Sequence, residues 1–157
     1  METVFFPDGR KLDLRYAVVD YNGTLAVDGL IAPMVKELLL ALSQELNVNV
    51  ITADTFGQAR PQLAELVGVK VAVIKPGAEG EQKAELVRKL GPEHTVCIGN
   101  GSNDAAMFAL AALSIAVVGR EGASMAALRE ADLVVSSPQD AIGLLLNPKR
   151  LLATLRI

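Results

Sequence analysis

Asp20, Thr52, Lys83 and Asp104 are the residues of this chain whose types and positions invite chemistry. Asp20 follows the apolar run Tyr16–Val19 and leads into Asn22, Gly23 and Thr24. Thr52, with Ala53 after it, follows the apolar run Val48–Ile51. The segment Gly99-Asn100-Gly101-Ser102-Asn103-Asp104 follows Thr95–Ile98, and Lys83 stands near the start of a helical pattern. A carboxylate gathered with a hydroxyl, an ammonium and a second polar cluster suits a phosphoryl group. The carboxylate can attack phosphorus or hold a cation, while the hydroxyl and ammonium bind the non-bridging oxygens. Mg²⁺ takes oxygen ligands, usually one or two of them carboxylates.

These groups act together only if the fold brings them to one place. Tyr16–Val19 is too short for a helix, rich in β-branched residues and apolar on both faces, as a strand inside a parallel sheet must be. Further strands are expected at Val48–Ile51, Val69–Ile74, Thr95–Ile98, Ile115–Val118 and Leu133–Val135. Helices are expected from Pro33 to about Leu46, and over Phe56–Leu66, with Asp54 or Thr55 as its cap. More follow at Gln82–Leu90, Asp104–Ala111, Met125–Glu130, Pro138–Leu145 and Pro148–Leu155. Val4–Phe6 and Lys11–Leu14, joined through Pro7-Asp8-Gly9, read as a hairpin, placed either at an edge of the main sheet or in a subunit contact. Strands alternating with helices predict an α/β fold with a mostly parallel sheet sandwiched by helices. The polar residues above then fall on one edge, outside the carboxyl ends of the strands.

Composition narrows the class. The chain has 157 residues, the length of one domain, taken as 1–157, and its hydrophobic share of 51% is ample for a core. A net charge of -3 argues against nucleic acid or an anionic membrane as partner. The single cysteine, Cys97, lies in an apolar run, excludes an intrachain disulfide and fits a reducing cytoplasm. The start METVFFPDGRK has no basic region followed by an apolar stretch, so no signal peptide is expected, and no apolar run is long enough to span a bilayer. Gly99–Asp104 does not match GxGxxG, which discounts dinucleotide binding. His94, the only histidine, is expected to be a solvated turn residue.

Four segments together carry a resemblance. DYNGTL resembles the first motif of the haloacid dehalogenase superfamily of phosphotransferases, and VITADT the second. QKAELVRKLG supplies the lysine of the third, and IGNGSNDAAMFALAALSIAV resembles the fourth in the form found in P-type ATPases. All four stand in the family's order, and the group most like this chain is the capless, soluble P-type-ATPase-like phosphatases. The resemblance implies a Rossmann-like fold and an Mg²⁺-dependent phosphohydrolase, a phosphatase or ATPase-like enzyme. Asp20 would form an aspartyl phosphate. The side chains of Asp20 and Asn100 and the carbonyl of Asn22 would face Mg²⁺, with Asp104 behind the metal or orienting Lys83. Gly23, Thr52, Ala53, Lys83 and Asn103 would surround the phosphoryl group.

Two positions depart from the pattern. Family phosphatases carry an aspartate where Asn22 stands, and it serves as general acid and base. An amide cannot do this near neutral pH, and such help is typically worth roughly 10²–10⁴-fold, so turnover should be slow. Asn100 stands where a metal-binding aspartate is usual and offers an oxygen without charge. Both are Asn-Gly pairs, whose deamidation would restore both acids. The two asparagines also favour the alternative of a non-enzymatic module that binds a phosphate ligand or a partner protein. Segments 26–32 and 56–80 leave no room for a cap, holding only a loop in the first. The site should therefore be open to bulky substrates, or closed by a second subunit in a homo-oligomer such as a tetramer; the expected partner is a small phosphorylated substrate.

Overall fold

The computed structural model describes residues 1–54 and 56–157. The first short strands, β1 (Val4–Phe5) and β2 (Lys11–Leu12), pair antiparallel through the Pro7-Asp8-Gly9 turn. Then come β3 (Tyr16–Asp20), β4 (Ala26–Val27), β5 (Leu30–Ile31), α1 (Pro33–Glu45), β6 (Asn47–Thr52), α2 (Ala59–Leu63) and β7 (Val69–Val73). The remainder is α3 (Glu79–Leu90), β8 (Thr95–Gly99), α4 (Ala105–Phe108), β9 (Leu113–Val117), α5 (Met125–Glu130), β10 (Leu133–Val135), α6 (Pro138–Leu146) and α7 (Pro148–Leu155).

Six strands form the main sheet in the order β10-β9-β8-β3-β6-β7, and every neighbouring pair is parallel. From β3 the chain winds through β6 to β7, then returns to the other side of β3 and winds outward through β8, β9 and β10. The direction reverses between β3 and β8. Such a switch point leaves a crevice beyond the strand ends where open α/β sheets bind ligands. Asp20 ends β3 and Gly99 ends β8, so the crevice lies between the first and fourth polar segments.

Side chains alternate across the sheet. Ala17 and Val19 face the core shared with α1, α2, α6 and α7, while Val18 and Cys97 face the core with α3, α4 and α5. This two-sided burial is why β3 lacks a polar/apolar alternation. Between β3 and α1, and between β6 and α3, the described residues form only short elements.

Four details differ from the sequence reading. The β1–β2 hairpin is a separate two-stranded sheet, not an edge of the main one, and Arg10 ties it to α7 by donating to the Leu155 carbonyl at 2.9 Å. Segment 26–32, expected as a loop, is a second hairpin, β4–β5. Its turn is Asp28-Gly29, both at positive φ (51° and 76°), the pairing that suits a two-residue hairpin. Helix α2 is shorter than Phe56–Leu66, because Gly57 closes a turn onto the Asp54 carbonyl at 2.8 Å. Asp54 receives the Ala59 N–H at 2.9 Å, and Thr55, the alternative cap, lies outside the described residues. Helix α3 begins at Glu79 rather than Gln82, with Glu79 and Glu81 in its first turn where the helix dipole favours acids.

Candidate active site

Lys83 is the residue on which the site closes. On α3 it stands four positions before Val87, hence on the same inward stripe, and it is only 1% exposed. A lysine so buried needs counter-charges. Its ammonium donates at 2.6 Å to Asp20 Oδ1 and at 2.6 Å to Asp104 Oδ1, and more weakly to Asn103 Oδ1 at 3.3 Å. Burial works against the charge, but Asp20 and Asp104 outweigh it and hold Lys83 above its usual range. Burial first and the neighbouring Asp104 second push the Asp20 carboxyl up to about 7, with Lys83 pulling the other way.

Asp104 is fully engaged. One oxygen meets Lys83, and the other accepts the backbone N–H groups of Asn100 at 2.9 Å and Gly101 at 2.8 Å. That clamp draws residues 102–104 into a tight turn of 3₁₀ type, so α4 starts at Ala105 instead of Asp104. The packing also requires Gly99, where a Cβ would lie 2.4 Å from the Asp104 carboxylate.

Thr24 holds the other side of Asp20. Its hydroxyl lies 3.1 Å from Asp20 Oδ2 and 2.9 Å from Asn100 Oδ1, so these two oxygens converge on one point. Gly23 sits at φ +74°, and a Cβ there would lie 2.4 Å from the Asn100 amide nitrogen. Asn100 in turn donates to the Gly122 carbonyl at 3.0 Å.

Thr52 extends one residue beyond the register partner of Asp20 on β6. Its oxygen accepts the Asp54 N–H at 2.9 Å, which leaves the hydroxyl proton available to a ligand. The Asn22 amide nitrogen approaches it at 3.5 Å, and the Asn22 Oδ1 is buried without a hydrogen-bond partner. An acceptor in that state costs about 1–3 kcal/mol, which a donor brought by a ligand or a water would offset. Ala53 is half-buried beside Thr52 and can offer only its backbone.

The structure thus gathers Asp20, Asn22, Gly23, Thr52, Lys83, Asn100, Asn103 and Asp104 at one rim of the sheet. It adds Thr24, which had been read only as part of the turn. The signal was a hydroxyl four residues after Asp20, but its reach to Asn100 is a tertiary contact. His94 lies elsewhere, half-buried, with Nδ1 2.8 Å from the Asp13 carbonyl. Deamidation of the Asn-Gly pairs is disfavoured. The nitrogen that must attack each side chain is held, Gly23 N–H by the Ala26 carbonyl at 2.9 Å and Gly101 N–H by Asp104 at 2.8 Å.

Among the described residues, no three His, Cys, Asp or Glu side chains cluster as a metal site. With Asp104 engaged, the side-chain oxygens left for a cation are Asp20 Oδ2 and the neutral Asn100 Oδ1. That set is hard and sparse. It fits Mg²⁺, which keeps several waters and needs only one or two carboxylates, and it lacks the imidazole and thiolate that softer ions prefer.

With this geometry, the chain can be set beside known proteins. The family model for haloacid dehalogenase-like hydrolases matches residues 6–112. An uncharacterised protein of Methanocaldococcus jannaschii is 39% identical over 92 residues, 56% of this chain and 99% of that protein. The fold resembles 3-deoxy-D-manno-octulosonate 8-phosphate phosphatase of Moraxella catarrhalis, solved with magnesium and phosphate ions. The TM-score is 0.70 and the identity 18%, covering 91% of this chain and 94% of that one. It also resembles the cobalt-bound deoxy-D-mannose-octulosonate 8-phosphate phosphatase of Haemophilus influenzae. There the TM-score is 0.65 and the identity 20%, covering 92% and 94%. At such identities the likeness speaks for the fold.

Proposed function

Because the chain belongs to the haloacid dehalogenase-like hydrolases, we propose that it is an Mg²⁺-dependent phosphohydrolase acting through Asp20. The observation that carries this reading is the buried Asp20–Lys83–Asp104 chain, with both contacts at 2.6 Å, at the switch point of the sheet. An Asp20 oxygen forms a bond to phosphorus as the ester P–O bond breaks. Water then attacks the phosphorus of the aspartyl phosphate, releasing phosphate and restoring the carboxylate. Thr52, Lys83, Asn103 and the backbone N–H of Ala53 bind the non-bridging oxygens, and Asp104 orients Lys83; Gly23, whose own N–H is held by the Ala26 carbonyl at 2.9 Å, contributes only the room that a side chain would fill. Asp20, Asn100 and the Asn22 carbonyl would hold Mg²⁺, which supplies positive charge to the phosphoryl oxygens when bound.

Asn22 has no proton to exchange, so the leaving oxygen takes its proton from water. This favours slow turnover and substrates with good leaving groups, such as acyl phosphates. The protein acts on small phosphorylated molecules. With no cap over the rim among the described residues, exposed Met34 and Phe56 suit contact with a second copy in a homo-oligomer. The test is phosphate release from acetyl phosphate, ATP and an aryl phosphate with Mg²⁺, for the wild type and Asp20→Asn. Release that requires Asp20 and Mg²⁺ is expected, and equal release by the variant would refute the mechanism. Asn22 and Asn100 favour one second reading, a binding module. It would show itself as no release but tight binding of beryllium fluoride.

A further inference from the structure

A cavity of about 460 Å³ opens beside the end of β3. It begins at Gly23 and Thr24, next to the carboxylate proposed to attack, and runs between the β4–β5 hairpin, the start of α1 and the loops after β9 and β10. Its volume is that of a small-molecule site. One wall is apolar, with Leu30 and Val35 in it. On the other, among the described residues, Arg120 is the one charged residue and no carboxylate lines the cavity. In a chain of net charge -3 that local balance is the reverse of the whole.

Arg120 is exposed, and the backbone turn that carries it is fixed relative to the site. Its turn closes from Gly122 N–H to the Gly119 carbonyl at 3.0 Å. Asn100 holds its C-terminal side, donating from its side-chain amide to the Gly122 carbonyl at 3.0 Å and accepting the Ser124 N–H on its backbone carbonyl at 2.8 Å. Gly119 packs on the Gly23 carbonyl, 3.7 Å from where its Cβ would be. The neighbouring Glu121 is engaged by the hairpin, accepting the Asp28 N–H at 2.9 Å, and is not among the residues that line the cavity. Among the described residues, the Arg120 guanidinium has no ion pair or hydrogen bond.

We propose that Arg120 is a specificity-determining residue. With a phosphoryl group at Asp20, it binds a second anionic group, a carboxylate or a phosphate, on the part of the substrate that leaves. The carbon frame between the two lies along the apolar wall. The planar fork of an arginine matches either oxyanion with two parallel hydrogen bonds. This rests on the phosphohydrolase reading, and it narrows the substrate to small phosphomonoesters that carry a second negative charge.

The test compares three substrate types that share an alkyl chain: an alkyl phosphate, the matching ω-carboxyalkyl phosphate and the matching alkane bisphosphate, over several chain lengths. The wild type should prefer one or both anionic types at some length. Arg120→Ala should lower kcat/KM for the preferred type by roughly 10–100-fold, mainly through KM, the range expected for losing a charge-assisted hydrogen bond. Arg120→Lys should recover part of it. The alkyl phosphate, which offers the guanidinium nothing to bind, should change by less than about threefold. The carboxylate and phosphate arms show which oxyanion the site takes. No anionic preference in the wild type, or an equal fall on all three types, overturns the proposal. If no compound is hydrolysed, the phosphohydrolase reading fails by itself. Calorimetric binding of ω-phosphonocarboxylates to the wild type and Arg120→Ala then decides: binding weakened by the substitution supports the site, and unchanged binding overturns it.

Discussion

Replacing Lys83 by methionine tests the centre of the proposed site without touching its nucleophile. Methionine keeps much of the volume and removes the charge. Asp20 Oδ1 and Asp104 Oδ1 each lie 2.6 Å from the ammonium, so they are no farther apart than twice that distance. Their side chains are 10% and 0% exposed. Two like charges about 5 Å apart at an effective dielectric of about 20 repel by about 3 kcal/mol. Removing one partner of a buried ion pair typically costs about 3–5 kcal/mol, in agreement. In a chain of this length, the melting temperature should fall by about 6–15 °C.

The pH dependence fixes the cause. In the wild type, Asp20 is already raised from 3.8 to about 7 by burial and by Asp104. The folded state therefore holds a proton that the unfolded chain has released, and stability falls as pH rises across that window. Without Lys83 the carboxyl is raised further and the window extends above 7. The gap between variant and wild type should be wider near pH 8 than near pH 5.5, by up to about 1.4 kcal/mol, the worth of one pH unit above a carboxyl at about 7, while the lost pairing with Asp104 remains at both. Urea unfolding at both pH values in EDTA, with no cation to replace the ammonium, measures it. A loss below about 1 kcal/mol near pH 8, or a gap that does not narrow in acid, would refute the claim that Lys83 holds two ionised carboxylates together.

Three further outcomes are expected. Asn22→Asp, nearly isosteric and placed at the orphaned Oδ1, should raise kcat by about 10²–10⁴-fold on substrates with poor leaving groups, and pH–rate profiles should gain the limb of the new carboxyl. An unchanged rate would show that Asn22 is not where a proton donor is missing. Gly23→Ala imposes φ +74° on an alanine and drives its Cβ into the Asn100 amide, so thermal melts should show a loss of at least about 1–2 kcal/mol together with lost activity. Wild-type values on both would contradict that packing. Cys97 is wholly buried, and its thiol is pushed far up, by burial first and the Asp104 charge second. It should resist thiol reagents until the chain unfolds; rapid labelling of the native protein would show that the α3–α4 side of the sheet opens.

The central strands were legible in the sequence because two-sided burial leaves unbroken apolar runs such as Tyr16–Val19. The candidate site was legible for a related reason. Tyr16–Val19 and Val48–Ile51 each run into a polar residue and Thr95–Ile98 into a polar segment, and a parallel sheet places such ends on one rim. Lys83 could be singled out by its place near a helix start and by the resemblance of QKAELVRKLG to the third motif; its stripe shared with Val87 is visible in the structure. The β4–β5 hairpin escaped because two-residue strands carry no periodicity, although Asp28-Gly29 was a usable turn signal. The start of α3 escaped because Glu79–Glu81 are polar and leave no apolar stripe. Thr24 and Arg120 acquire their surroundings only from tertiary docking, Thr24 onto Asn100 and the Arg120 turn onto Gly23 and Asn100. No spacing along the chain encodes either.

Tyr21 follows Asp20 directly, is wholly buried, and its hydroxyl donates to the Gly29 carbonyl at the tip of the β4–β5 hairpin at 2.9 Å. Phe56 packs against the same tip, with its Cβ 2.8 Å from where a side chain on Gly29 would begin. The hairpin is thus coupled mechanically to the backbone of the nucleophile. One phenol anchors a wall of the cavity to the residue that follows the Asp20 carboxylate.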